Sequence, residues 1–336
     1  MKARQLVFPE RMKVEPVDVV ISDTPGPGEV LVENQYGLIS PGTELAMFTQ
    51  THVGFTREDF GYASFPFHPG YASVGRVLLT GRDVDAVREG DLVYVRGKHA
   101  SHALVPAGRS LLRLPEDMSL QHAPFAVIAK IALTAVRLSD VRLGHTVAVF
   151  GQGLVGNLAA QLMILSGARL VIGIDAVPER LAISRTCGID ACVNPEAEDL
   201  AERVNDITNG DGCQIVVEAT GNPKAAPPAI RTASQMGQVV LLGSPRGSAE
   251  IDLYFDLHRT GVSVIGAHGS RQPDASQFGD PDPDELMLDY IARERLKVAP
   301  LLTHVLPASQ ADAAYRGLLN EKGAFLGVLL DLTRWE

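Results

Sequence analysis

Val147-Ala148-Val149-Phe150-Gly151-Gln152-Gly153-Leu154-Val155-Gly156 is the stretch that decides the fold. Four consecutive apolar residues predict a strand buried on both faces, because a half-exposed strand would alternate. Glycines follow at once in the spacing G-x-G-x-x-G, and an apolar helical run then continues to about Gly167. In such a strand–turn–helix, Gly151 permits the tight turn and Gly153 leaves no side chain in front of an approaching phosphate. Gly156 lets the helix lie close to the strand. Gly151, Gly153, Leu154, Val155 and Gly156 are therefore expected to hold a dinucleotide pyrophosphate against the free N–H groups of the helix start. A bare glycine spacing of this kind also occurs in turns that bind nothing; its position between strand and helix is what gives it weight.

The next apolar run, Leu170-Val171-Ile172-Gly173-Ile174, ends in Asp175. A carboxylate there accepts hydrogen bonds from adenosine ribose hydroxyls and repels a 2′-phosphate. Arg180 is near, but Ala176, Val177 and Pro178 follow the Asp directly, so no basic cluster forms. NAD(H) is thus favoured over NADP(H). Further apolar runs at 215–218, 239–242 and 262–265 alternate with helical stretches. The alternation predicts an α/β region with a parallel, doubly wound sheet. Gly243, Ser244 and His268 follow strand ends and are expected to border the cofactor, since ligands bind beyond the carboxyl ends of such strands. Thr134, on the helix leading into this region, joins the expected cofactor set.

The first 120 or so residues have another character. Short β-prone runs at 5–8, 30–33, 72–78 and 91–95 are separated by turn chemistry such as Pro25-Gly26-Pro27-Gly28, which predicts a small barrel-like unit. The tail carries amphipathic helical patterns near 283–296 and 309–321, the second with Ser309 as expected N-cap, and a closing strand at 326–330. Residues 272–284 read as an exposed loop.

With 336 residues the chain is long for one core and suited to two domains. A net charge of −10 argues against nucleic acid or an anionic membrane surface as the main partner. No apolar run approaches the roughly 20 residues that span a bilayer. The three cysteines, Cys187, Cys192 and Cys213, show no C-x-x-C spacing, so a reducing cytoplasm is the expected location.

Outward from the glycine turn, the chain resembles the medium-chain dehydrogenase/reductase superfamily, which includes the zinc alcohol dehydrogenases. The resemblance rests on Pro27-Gly28-Glu29-Val30, Ile39-Ser40-Pro41-Gly42-Thr43-Glu44, Pro69-Gly70-Tyr71-Ala72-Ser73-Val74-Gly75 and Gly90-Asp91-Leu92-Val93, in that order before the nucleotide region. It implies a GroES-like catalytic domain over 1–122 and 268–336 and a Rossmann domain over 123–267. It also implies a homodimer or homotetramer through the Rossmann sheet. The pairing of the second and third motifs is loosely similar to bacteriochlorophyllide dehydrogenase-like proteins.

The zinc enzymes carry a Cys in the first site motif, His-Glu in the second and a further ligand on the helix entering the Rossmann domain. Ser40, Tyr71-Ala72 and Lys130 stand at the matching places, and the four-cysteine lobe is missing. Zinc prefers Cys, His and carboxylate donors. Neither catalytic nor structural zinc is expected. Hydride transfer to a carbonyl still needs a proton donor. Lys130 lies in an apolar helical run and is expected to be buried; its ammonium would lower the Tyr71 pKa and make Tyr71 the acid and base. The alternative is that Tyr71 merely fills the vacated space and Lys130 reaches solvent. Thr43 matches a hydroxyl of the family's proton relay, Ser40 is a weaker candidate, and Ala46 stands where the relay histidine would be. The segment 47–55 with Phe60 and Tyr62 is either a substrate-pocket wall or a surface loop.

The expected activity is a zinc-independent, NAD(H)-dependent oxidoreductase acting on a secondary alcohol or its ketone, of polyol, sugar or larger apolar kind. Two alternatives stay open: an enoyl or quinone reductase, and a non-catalytic NAD-binding sensor or scaffold.

Overall fold

A computed structural model describes residues 1–57, 61–108, 111–269 and 281–336. The expected loop at 272–284 therefore lies largely outside the described residues, as does Phe60. The chain forms two compact units, Met1–Val127 with Asp284–Glu336, and Ile128–Pro283. From sequence the crossings were placed at 122/123 and 267/268; the structure has them inside a helix and at 283/284.

The first unit is β-rich. Its strands are β1 (Lys2–Val7), β2 (Glu15–Val20), β3 (Glu29–Leu38), β4 (Ser73–Thr80), β5 (Leu92–Val95), β6 (His102–Pro106) and β7 (Leu111–Arg113). Helix α1 (Pro41–Phe48) follows β3 directly, with Pro41 at its first position, where a missing N–H costs nothing. Helix α2 (Phe125–Leu138) carries the chain into the second unit.

There the strands are β8 (Thr146–Phe150), β9 (Leu170–Ile174), β10 (Ala191–Val193), β11 (Cys213–Glu218), β12 (Ala233–Leu241) and β13 (Ser263–Gly266). The helices between them are α3 (Leu154–Leu165), α4 (Pro178–Cys187), α5 (Leu200–Thr208) and α6 (Ala226–Thr232). The sheet order is β10-β9-β8-β11-β12-β13, every pairing parallel. Every residue of β8 is buried, as a strand covered on both faces requires. This is the doubly wound order of a Rossmann domain. Its connections reverse between β8 and β11, the place beyond whose strand ends ligands bind in sheets of this order.

The tail returns to the first unit with α7 (Pro283–Ala292), β14 (Leu302–Pro307), α8 (Ala311–Asn320) and β15 (Gly327–Asp331). Strand β15 pairs antiparallel with β3 and parallel with β14, so the tail completes the sheet β14-β15-β3-β4-β5-β7. One core of this unit joins Leu6, Phe8, Ile39, Phe48, Tyr315 and Leu330; a second joins valines of β3, β4 and β5. The fold class expected from sequence, a Rossmann domain beside a GroES-like one, is the fold observed.

Candidate functional site

In the second unit the glycine turn is built as its spacing requires. Gly151 has φ 85°, and a Cβ on it would come within 3.0 Å of the Thr220 backbone nitrogen. A Cβ on Gly156 would overlap the Gly151 carbonyl oxygen. Gly153 is different: it caps α3, and among the described residues nothing but Arg180 Nη1, at 3.9 Å, comes near the place of its Cβ. The opening in front of Gly153 and the N–H groups of Leu154, Val155 and Gly156 in the first turn of α3 fit a pyrophosphate.

Asp175 follows β9 with its side chain 8% exposed. Its Oδ2 accepts the Gln152 N–H at 2.6 Å and its Oδ1 the Val177 N–H at 2.8 Å. Each oxygen keeps a second lone pair for a ribose hydroxyl. Arg180, set aside from sequence, puts Nη1 4.0 Å from Asp175 Oδ2. The loops after β11 and β12 close on the turn: Gly151 lies against Thr220, and Gly243 is packed so closely on Gly221 that no side chain fits. The amides of Leu242 and Gly243 both donate to the Glu218 carbonyl. The turn, Asp175, Gly243 and Ser244 thus gather at the carboxyl ends of the central strands. His268 is exposed after β13, and Thr134 is fully buried on α2.

Sequence reasoning missed Glu218, the last residue of β11. Its Oε1 accepts the Thr220 N–H at 2.7 Å and the Thr220 hydroxyl, while Oε2 is buried with no hydrogen-bond partner among the described residues. Burial raises its pKa against the lowering effect of the Thr220 and Gly221 bonds.

In the first unit, Ser40 caps α1 and its Oγ accepts the Tyr71 hydroxyl. Thr43, on the first turn of α1, lies close enough to Tyr71 to lower its pKa. The tyrosine pKa is pushed up to about 12, by burial first. The Ser40 and Thr43 hydroxyls oppose that rise, and Glu44 adds to it. This corrects the expected lowering: burial and a nearby carboxylate dominate, and Tyr71 stands protonated at neutral pH. Lys130 also differs from expectation. It is half-buried on α2, in the other unit, with the fully buried positions Ala129 and Ala132 beside it.

Behind Tyr71 lies a buried polar cluster that sequence did not reveal. Glu44, 1% exposed, accepts the Ser40 N–H at 2.9 Å through Oε1. Its Oε2 meets His99 Nε2 at 3.1 Å and accepts the Tyr315 hydroxyl at 2.5 Å. His99 and Tyr315 are fully buried. Burial, then Glu44, pushes the Tyr315 pKa well up. Lys98 lies 5.8 Å over the Phe67 ring; burial lowers its pKa and Glu44 opposes this. Tyr62 packs edge-on against His52 and Phe67, so part of the expected pocket-wall segment does form an aromatic cluster.

These residues do not fit zinc. The first and second site motifs present hydroxyls that are bonded to one another, without thiolate or imidazole. Among the described residues no group of three or more His, Cys, Asp or Glu could hold a metal ion.

A family model described as zinc-binding dehydrogenase matches residues 155–280. The D-guloside 3-dehydrogenase of Escherichia coli K12 is 27% identical over 314 residues, covering 87% of this chain and 89% of that protein. The L-threonine 3-dehydrogenase of Symbiobacterium thermophilum is 25% identical over 324 residues, covering 87% of each. Among solved structures, 2R,3R-butanediol dehydrogenase from Bacillus subtilis superposes with TM-score 0.83 at 20% identity, covering 98% of this chain and 99% of that one.

Proposed function

We propose, on the premise that the chain belongs to the medium-chain dehydrogenase/reductase superfamily, that it is an oxidoreductase interconverting a secondary alcohol and its ketone with NAD(H) and without zinc. The observation that carries the proposal is the coexistence of a complete dinucleotide turn and a fixed Asp175 after the next strand with hydroxyls where the zinc enzymes have metal ligands. The relatives' names support a polyol, sugar derivative or other small secondary alcohol as substrate.

Gly151, Gly153, Leu154, Val155 and Gly156 hold the pyrophosphate, Asp175 the adenosine ribose, and Thr134, Gly243, Ser244 and His268 border the remainder. The bound nicotinamide supplies or accepts the hydride. Tyr71 Oη, neutral at working pH, donates a hydrogen bond and then its proton to the oxygen of a carbonyl substrate. In the oxidative direction the proton returns to it. Ser40 Oγ, which accepts the Tyr71 hydroxyl, orients it; in reduction the Ser40 hydroxyl returns a proton to the phenolate, in oxidation it takes the proton on, and Thr43 is proposed to continue the relay. Lys130 is retained as a catalytic candidate in its own right, tested by Lys130→Met. The protein is further proposed to work as a cytoplasmic homodimer or homotetramer.

The test is direct. Purified protein is titrated with NADH and NADPH, analysed for bound metal, and screened against secondary alcohols, polyols, ketones and quinones. NADH-selective binding, turnover of a secondary alcohol and less than stoichiometric zinc are expected. One tightly held zinc per chain would overturn zinc independence. Turnover confined to quinones or enones would overturn the substrate class, and binding without any turnover would make the protein a sensor.

A further inference from the structure

The side chain of Gln152 belongs to the glycine turn yet is fully buried. A carboxamide has two donors and an acceptor, and burying it unpaired is costly. Here both ends are engaged. Its Nε2 donates to the Val149 carbonyl of β8 at 2.9 Å, and its Oε1 lies 3.0 Å from the Ser184 hydroxyl of α4, whose one proton it shares with the Arg180 carbonyl at 2.9 Å. Ser184 Oγ in turn accepts from Asn157 Nδ2 at 3.0 Å, and Asn157 Oδ1 from Gln161 Nε2 at 2.9 Å, both on α3. Gln152, Ser184 and Asn157 are wholly buried, and Gln161 nearly so.

Two neighbours show what this chain of amides serves. The backbone N–H of the same Gln152 donates to Asp175 Oδ2 at 2.6 Å. Gly173, inside buried β9, leaves room for the carboxamide: a Cβ there would come within 3.0 Å of Gln152 Cδ. A glycine weakens a strand interior, and close approach of another group is a physical reason to keep one.

We infer that Gln152, braced by Ser184, is a positioning residue that fixes the Asp175 carboxylate against the glycine turn and so sustains selection for a ribose with a free 2′-hydroxyl. The inference rests on the NAD(H) reading of this site. A carboxylate at a strand end turns about two bonds. Two backbone N–H groups hold its oxygens, and the place of one of them is set by an amide anchored on both β8 and α4. Without that amide the turn relaxes and Asp175 swings toward Arg180. The ribose then loses its acceptor and a 2′-phosphate loses its repulsion.

The full-length protein is titrated with NADH and NADPH by fluorescence, and its thermal midpoint is measured without cofactor. Gln152→Ala is expected to weaken NADH about tenfold, the loss of roughly one well-placed hydrogen bond, and to narrow the ratio of NADPH to NADH dissociation constants. Ser184→Ala moves both readouts the same way by less. Gly173→Ala, which crowds the amide, imitates Gln152→Ala and adds little to it in the double variant. Should the Gln152 variant not fold, the Ser184 and Gly173 variants decide. An unchanged NADPH-to-NADH ratio in the folded variants overturns the inference, whether NADH affinity is kept or falls equally for both cofactors. A wild-type protein that binds neither cofactor, or NADPH more tightly, overturns the cofactor reading and the inference with it.

Discussion

Tyr71 is held neutral because burial and Glu44 outweigh the lowering effect of the Ser40 and Thr43 hydroxyls. A protonated phenol suits donation to a developing alkoxide. Tyr71→Phe keeps the ring and removes the proton, so turnover should fall roughly 100-fold or more while NADH affinity stays unchanged. Steady-state rates beside a binding titration check this, and near-normal turnover would remove Tyr71 from the mechanism. The pKa carries a second consequence. The folded chain favours the neutral form, raising the pKa from 10.0 to about 12. The stability this lends is fully present below pH 10 and is lost as pH rises through about 12. When the alkaline absorbance titrations of wild type and Tyr71→Phe are compared, the absorbance lost in the variant should belong to a late tyrosinate step near 12; a loss near 10 instead would contradict the burial argument. Ser40, Thr43 and Tyr71 were legible in the sequence because each sits inside a short ordered motif. Their support was not. His99 and Tyr315 meet Glu44 from 55 and 271 positions away, and His99 beside His102 offered no pattern linking it to a carboxylate in another segment.

At the scale of elements, the strand–turn–helix was readable because its local rules agree. An apolar run makes β8, glycines make the turn, and Asp175 closes β9. Gly156→Ala tests that unit. The new methyl has no room beside the Gly151 carbonyl, so helix and strand must part. NADH binding should fall by at least tenfold, about 1.4 kcal/mol, whereas Gly153→Ala, with open space around it, should lower affinity only through the methyl's obstruction of the phosphate. Calorimetric titration of both variants separates the two, and wild-type affinity in Gly156→Ala would contradict the packing. Helix ends were less readable. Ser309 was expected to cap the last helix, but α8 begins at Ala311 after a short turn. The Ser309 hydroxyl donates to the Glu336 carbonyl instead, a tertiary contact with no local signature.

Across the whole molecule, the change from short strands and turns to apolar runs alternating with helices marked the nucleotide region in the sequence, whereas the return of the tail to the first unit was implied only by the family resemblance. What the sequence could not place was the exposed apolar surface. Among the described residues nothing pairs with the outer hydrogen-bonding edge of β13, the last strand of the parallel sheet, and Val264 on it is 38% exposed. Just before it, Leu253, Tyr254 and Phe255 are 71%, 58% and 58% exposed. A sheet edge flanked by several large apolar side chains is a liability for a monomer and a ready surface for a second copy, since a two-fold axis sets like edge against like. The proposed homo-oligomer should therefore form here. Light scattering at micromolar concentration is expected to give a dimer or larger for the wild type. Joint Tyr254→Asp and Phe255→Asp substitution, which puts charges on the patch without touching the glycine turn, should shift it toward monomer while NADH still binds. A monomeric wild type, or an oligomer indifferent to both substitutions, would place the contact elsewhere or nowhere.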